Sequence, residues 1–355
     1  VIVHNDGLAK RQCMGQTVAM SQQVNRAWTN PKRFMTQLGR TSKFERSPHP
    51  ITLLVKAAFG AILGLCFSPI LRADSPQTAP TVKVAAVQCS SILGGVEANR
   101  AKLSRLVEKA AGMGAKIVVL PETAITGYLS QDLKKNWHLP GKPLDPQFTG
   151  IHPGSFAETV PGPSTAQFAA LAKRLKIHVT VPLMEVERKD GVVRYFNTVC
   201  LAGPDGAIIG HYRKLTPWPV PEKSWATAGD RGVAVVETEY GKVGLAICYD
   251  IHNILDLYAP HKIWALLYPI AWVDKGHPAD WFWHTLPGRL GKYDHHVIGA
   301  NWSVDERQSW RGYGFSTIYA AGGKVLSSAK SIYGDEIVYA DLETRPAIAI
   351  PAASR

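Results

Sequence analysis

Three side chains in this sequence have the types needed for nucleophilic chemistry. Cys248 lies in "VGLAICYDIH" (243–252), Lys214 in "YRKLTPWPVPE" (212–222) and Glu122 in "LPETAITGY" (120–128). A thiol must lose its proton before it attacks a carbonyl or nitrile carbon. A carboxylate within hydrogen-bond reach can take that proton and return it to a leaving amine. An ammonium can stabilise the negative oxygen that develops. Each residue alone also has a plainer role. Free cysteine is among the most buried residue types, a lone glutamate can cap a helix, and a lone lysine can end a strand in solvent. Their shared setting joins them. Each follows an apolar, strand-like run, and groups at the carboxyl ends of strands in open α/β sheets converge on one crevice.

The elements that would position them alternate between strand and helix. The pattern predicts strands over 81–89, 115–120, 178–187, 193–203 and 207–214, with a hairpin at "PDG" (204–206). A second hairpin is predicted over 233–248, turning at Tyr240-Gly241, and further strands over 263–272, 295–303 and 314–326. Helices are predicted over 98–114 and 164–177; in the first, Leu103, Leu106, Val107 and Ala110 share one face and Gly114 ends it. No repeat and no Gly/Ser-rich linker divides the body. One mixed α/β domain over 80–350 is the expectation.

The charge is unevenly placed. Residues 1–73 hold ten Lys and Arg against two Asp and Glu, whereas the remaining 282 hold 30 against 26. The net charge of +12 is therefore mostly that of the N-terminal segment, and the body carries no basic stripe of the kind that binds nucleic acid. The five cysteines show no C-x-x-C spacing, which removes zinc-ribbon and thioredoxin-like readings. Cys89 and Cys200 are expected either as core thiols or, after export, as a disulfide. His252, His295 and His296 are expected to be structural, since they form no metal-ligand pattern.

Residues 1–54 lack apolar periodicity and are expected to be disordered or absent from the natural product. The chain begins with valine, as literal translation of a GUG codon would give, and initiation near Val55 is the expectation. "VKAAFGAILGLCFSPILRADS" (55–75) carries a lysine, an apolar run and small residues, the layout of a signal peptide over 55–73. It is shorter than a comfortable membrane span of roughly 20 apolar residues. The body is expected to be exported, periplasmic or secreted, if that segment is used, and cytoplasmic otherwise. No membrane span is expected in the mature protein.

The three motifs, in their order, resemble the nitrilase or carbon-nitrogen hydrolase superfamily, on its amidase-like side. "LLYPIAW" (266–272), "VIGAN" (297–301) and "GFSTIYAAGGKVL" (314–326) add to the likeness, which spans about 82–330. The resemblance implies an α/β fold, a four-layer αββα sandwich, assembled as a homodimer or larger. It implies Cys248 as nucleophile, Glu122 as general base, Lys214 as oxyanion stabiliser and Glu222 as the residue that orients Lys214. No cofactor and no metal are implied. Tyr128, Tyr249 and Trp272 are the expected substrate contacts, and Asp250 orients a turn or meets the substrate. The expected activity is hydrolysis of a small amide through a cysteine thioester, with nitrile or N-carbamoyl amide hydrolysis as alternatives and a non-catalytic binding protein behind them. Two positions depart from the family pattern. His252 stands where many small-amide members place an arginine for a substrate carboxylate, and Lys292 stands where a supporting glutamate is usual.

Overall fold

The sequence "TVKVAAVQ" alternates small and branched apolar residues, and it forms β1 (Thr81–Gln88), apolar on both faces because both are covered. Helix α1 (Val96–Gly112) follows, then β2 (Ile117–Val119), helix α2 (Pro163–Leu175), and the long hairpin β3 (His178–Lys189) and β4 (Val192–Ala202). β5 (Ile208–Arg213) completes the first half. The second half holds β6 (Ala234–Thr238), β7 (Gly241–Leu245), α3 (Leu255–Tyr258), β8 (Ala265–Ile270), α4 (Leu286–Leu290) and β9 (His296–Asn301). It closes with β10 (Thr317–Tyr319), β11 (Val325–Ser328) and β12 (Glu336–Glu343). The computed structural model describes residues 79–129, 151–219, 222–272, 280–306 and 312–346. The N-terminal segment, with its signal-peptide-like stretch at 55–73, lies outside the described residues.

The strands form two six-stranded sheets, ordered β12-β1-β2-β3-β4-β5 and β11-β10-β9-β8-β7-β6. Strands β1, β2 and β3 are parallel, as are β7, β8 and β9, and the outer strands pair antiparallel. Period-two alternation sorts the side chains between two cores. Val82, Val84 and Ala86 of β1, Ile117 and Val119 of β2, and Val199 and Leu201 of β4 face the second sheet. Ala85, Val87, Val118, Cys200 and Ala202 face the opposite way, toward Leu103, Val107 and Ala110 of α1 and Phe168 and Ala172 of α2. Phe282, Leu286 and Leu290 cover the second sheet. This is the four-layer αββα sandwich, with the sheet-on-sheet core at its centre.

Three expectations need correction. The predicted strand over 314–326 is two strands, broken at Ala321–Gly323, where Gly322 and Gly323 take positive φ of 76° and 83°. Gly323 has no room for a Cβ, which would lie 2.4 Å from the Pro287 carbonyl oxygen. β12 returns to pair antiparallel with β1 along its whole length and was not foreseen. Cys89 and Cys200 are both free, buried thiols, so the disulfide alternative falls. Among the described residues no helix is long and apolar enough to cross a membrane, and no His/Cys/Asp/Glu group could hold a metal ion.

Candidate active site

Glu122 lies three residues beyond β2, and its backbone is fixed by the second sheet. Its N–H faces the Ile270 carbonyl at 3.4 Å, and its carbonyl accepts from the Trp302 indole at 2.8 Å. Lys214 directly follows β5. Its N–H donates to the Asn197 carbonyl on β4 at 2.8 Å, and its own carbonyl accepts from Gly229 at 2.8 Å. A glycine is needed at 229, since a Cβ there would sit 2.1 Å from the Arg213 carbonyl oxygen. Cys248 opens the tight turn Cys248–His252 beyond β7, in the left-handed region at φ 43°. A non-glycine residue in that conformation is costly and persists only where its surroundings hold it. Tyr268 donates to the Cys248 carbonyl at 2.8 Å, and the Asp250 carboxylate accepts from the Ile247 N–H at 3.1 Å. Asp250 also accepts from Tyr212 and from the backbone and hydroxyl of Thr216, so it ties this turn to the lysine loop. Asp250 therefore serves the turn.

The charged groups meet at one point. The Lys214 ammonium donates to Oε1 of Glu122 at 2.7 Å and to Oε1 of Glu222 at 2.8 Å. All three side chains have no solvent exposure. Asn197 donates to Glu122 at 2.7 Å, the Tyr128 hydroxyl donates to Glu222 at 2.8 Å, and the Trp218 N–H donates to the other Glu222 oxygen at 2.9 Å. The second oxygen of Glu122 is buried without a hydrogen-bond partner. Tyr128 was expected to contact substrate; the structure commits its hydroxyl to Glu222.

These contacts divide the acids. Burial pushes the Glu122 carboxyl up to about 7; Lys214 pulls it down, while the charge on Glu222 pushes it further up. Burial acts on Glu222 in the same direction, but Lys214, the Trp218 N–H and Tyr128 outweigh it and hold that carboxyl below its usual range. Burial disfavours the Lys214 ammonium, yet the two carboxylates more than compensate, so it stays charged. The Cys248 thiol is raised well above its ordinary value, first by burial and then by Glu122. The nearby Ala271 backbone N–H opposes that rise. The resting site thus holds a protonated thiol beside a carboxyl poised near neutrality, the pairing that general-base activation requires.

Around the buried thiol stand aromatic rings. Tyr128, Ala271 and Trp302 form a small cluster with Trp218 packed against it. Trp218 stacks on Tyr249 at 6.5 Å and 20°. Trp272 stacks on Trp281 at 4.4 Å and 15°, and His252 touches both. Asn301 Oδ1 accepts from the N–H groups of Trp272 and Trp302, both at 2.9 Å. The structure thus gathers Glu122, Lys214, Glu222, Cys248 and Tyr128 at one point and places Tyr249 and Trp272 on the aromatic rim. Lys292 is elsewhere: it is exposed and paired with Asp256 at 2.9 Å. Sequence reasoning missed Asn197, Tyr268, Asn301 and Trp302. An asparagine inside the β4 strand was the available signal, because strands disfavour it.

The model of the carbon-nitrogen hydrolase family matches residues 83–349. The chain belongs to the carbon-nitrogen hydrolase family. It is 29% identical over 255 residues to the omega-amidase NIT2 of Danio rerio, covering 69% of this chain and 82% of that protein. It is 36% identical over 181 residues to the bifunctional nitrilase/nitrile hydratase NIT4A of Lupinus angustifolius, covering 50% and 49%. The crystal structure of Saccharomyces cerevisiae Nit3, a member of branch 10 of the nitrilase superfamily, superposes with a TM-score of 0.59 at 26% identity, covering 74% of this chain and 90% of that one. The hydrolase is therefore an enzyme of the nitrilase type, as its motifs implied.

Proposed function

We propose that this hydrolase is an amidase acting through a thioester on Cys248. The observation that carries the reading is Lys214, buried and shared by Glu122 and Glu222, with one Glu122 oxygen left unpartnered. Glu122 takes the Sγ proton as the sulfur attacks the amide carbon. The carbonyl oxygen becomes an oxyanion, stabilised by the third N–H of Lys214 and by backbone N–H groups at the turn. Collapse breaks the C–N bond, and Glu122 returns its proton to the departing ammonia or amine. Water then enters, loses a proton to Glu122 and attacks the thioester carbon. The acid leaves, the thiolate regains the proton, and the enzyme is restored. Glu222 orients Lys214, Tyr128 orients Glu222, and Tyr249 and Trp272 contact the acyl group.

The omega-amidase relatives match along most of their length, which supports amide over nitrile. The match to the lupin nitrilase supports the nitrile alternative over half the chain. Intact-protein mass spectrometry with matched amide and nitrile pairs separates the two. An acyl mass on Cys248 from the amide, lost in Cys248→Ala, is the expected result; adducts from nitriles alone overturn it. The same proposal includes a homodimer or larger oligomer, in keeping with the family resemblance, and export directed by the 55–73 segment, in keeping with its composition. Light scattering and N-terminal sequencing of the natural protein test these.

A further inference from the structure

Five partly exposed rings run in unbroken contact past the buried thiol. Trp218 stacks on Tyr249, Tyr249 meets His252 at 5.2 Å, and His252 meets Trp272 at 5.6 Å and Trp281 at 5.0 Å. Trp272 and Trp281 lie face to face. The strip begins beside the nucleophile: Tyr249 and His252 share its turn, and Trp272 follows Ala271, whose backbone N–H acts on the thiol. Cys248 itself is only 3% exposed. A group bonded to the sulfur therefore lies against this strip as it leaves the site.

The electrostatics along the strip are one-sided. Lys214, the cation beside the thiol, is already shared by two carboxylates. His252 is uncharged at neutral pH, because burial and then the neighbouring Arg289 hold its ring down at about 4. Arg289 is exposed over the Trp281 ring at 5.5 Å and lines a cavity together with His252. Among the described residues, a carboxylate held between the thiol and Trp272 would face two buried acids, flat neutral rings and no cation but the Lys214 they already share, and would lose hydration there. A flat apolar group would gain stacking and area burial.

We propose that the Tyr249–His252–Trp272–Trp281 strip is the acyl-recognition surface and that it selects amides with an aromatic, uncharged acyl group, His252 being the residue that sets the preference. This inference rests on the amidase reading. The test compares kcat/KM for 3-phenylpropanamide, butanamide and succinamate on the wild-type enzyme, His252→Arg and Trp281→Ala. Wild type is expected to favour 3-phenylpropanamide over succinamate by about a hundredfold. Trp281→Ala should reduce the ratio of 3-phenylpropanamide to butanamide by about tenfold, mostly through KM. His252→Arg should move the ratio toward succinamate by about tenfold or more. Succinamate preferred by wild type, or ratios unmoved in both variants, overturns the proposal while leaving the amidase reading intact. Hydrolysis of none of the three, with no acyl mass on Cys248 from any of them, overturns both.

Discussion

The two sheets contribute unlike halves to one site. The first supplies charge: Glu122 beyond β2, Asn197 on β4, and Lys214 beyond β5 with Glu222 in its loop. The second supplies the thiol and a wall of rings: Cys248 beyond β7, Tyr268 on β8 and Trp272 just past it, Trp302 just past β9. The charged half is fully buried and held by hydrogen bonds, with one cation answering two anions. The other half is held by backbone shape and stacking, and its outer rings are partly open. A buried charge is costly without its partners, whereas a stacked ring tolerates a changed neighbour. The charged half should therefore respond steeply to small changes, and the aromatic half gradually.

Replacing the thiol or the carboxyl to which the proposed mechanism gives the chemistry breaks both halves of the division of labour. Cys248→Ala and Glu122→Gln are each expected to lower kcat by about ten-thousandfold or more. Both should remain folded, since Cys248→Ala removes one sulfur atom and Glu122→Gln keeps an oxygen for Lys214. Circular dichroism beside a single-turnover assay checks this. Lys214→Ala is harsher on stability. It leaves two carboxylates facing each other without exposure, and a loss of about 3–5 kcal/mol in denaturant unfolding is expected. Lys214→Ala combined with Glu222→Gln should recover part of that loss, because one of the stranded charges is gone.

The charged half also sets the pH response. In the proposed mechanism Glu122 acts as the base only when ionised, so kcat/KM should fall as pH drops through about 7, where its carboxyl is held. Glu222 pushes that value upward by its charge. Glu222→Gln should therefore shift the acid limb to lower pH, while kcat falls by about tenfold through the weakened hold on Lys214. A limb that stays in place assigns the base to another group. Trp272 and Trp281 carry no titratable group, so Trp281→Ala should leave the limb where it was.

The same contrast explains what could be read from the chain. Cys248, Lys214 and Glu122 were legible because each sits at the end of an apolar run, and such a run announces itself by composition. Asn197 was not, since its role depends on β4 bringing its amide to Glu122 beyond β2, a long-range contact that no local pattern encodes. β12 was missed because its residues alternate weakly, with only Val338 and Leu342 buried. Periodicity placed the three residues at strand ends, and the family resemblance rather than the alternation implied the second stacked sheet. The alternation in β1 fits one sheet or two, because both arrangements bury the two faces of a strand. The break at Gly322-Gly323 was visible as two glycines, but the apolar residues on either side favoured one continuous strand.

The smallest expected effect gives the finest test of the comparison. Two tyrosine hydroxyls donate at 2.8 Å, one in each half: Tyr128 to the Glu222 carboxylate and Tyr268 to the Cys248 carbonyl. Both side chains are buried, and phenylalanine preserves the shape of each. A hydrogen bond to an ionised group contributes about 1.5–3 kcal/mol and a neutral one about 1 kcal/mol. Tyr128→Phe should therefore lose more stability than Tyr268→Phe. It should also alter the acid limb, because Glu222 loses a donor that favours its ionised form. Tyr268→Phe should leave the limb unmoved and lower kcat about fivefold, as the left-handed turn at Cys248 loses one of its ties. Equal losses in the two variants would mean that the turn at Cys248 is held as tightly as the buried charges, and that the two halves of the site do not differ in the way their bonding suggests.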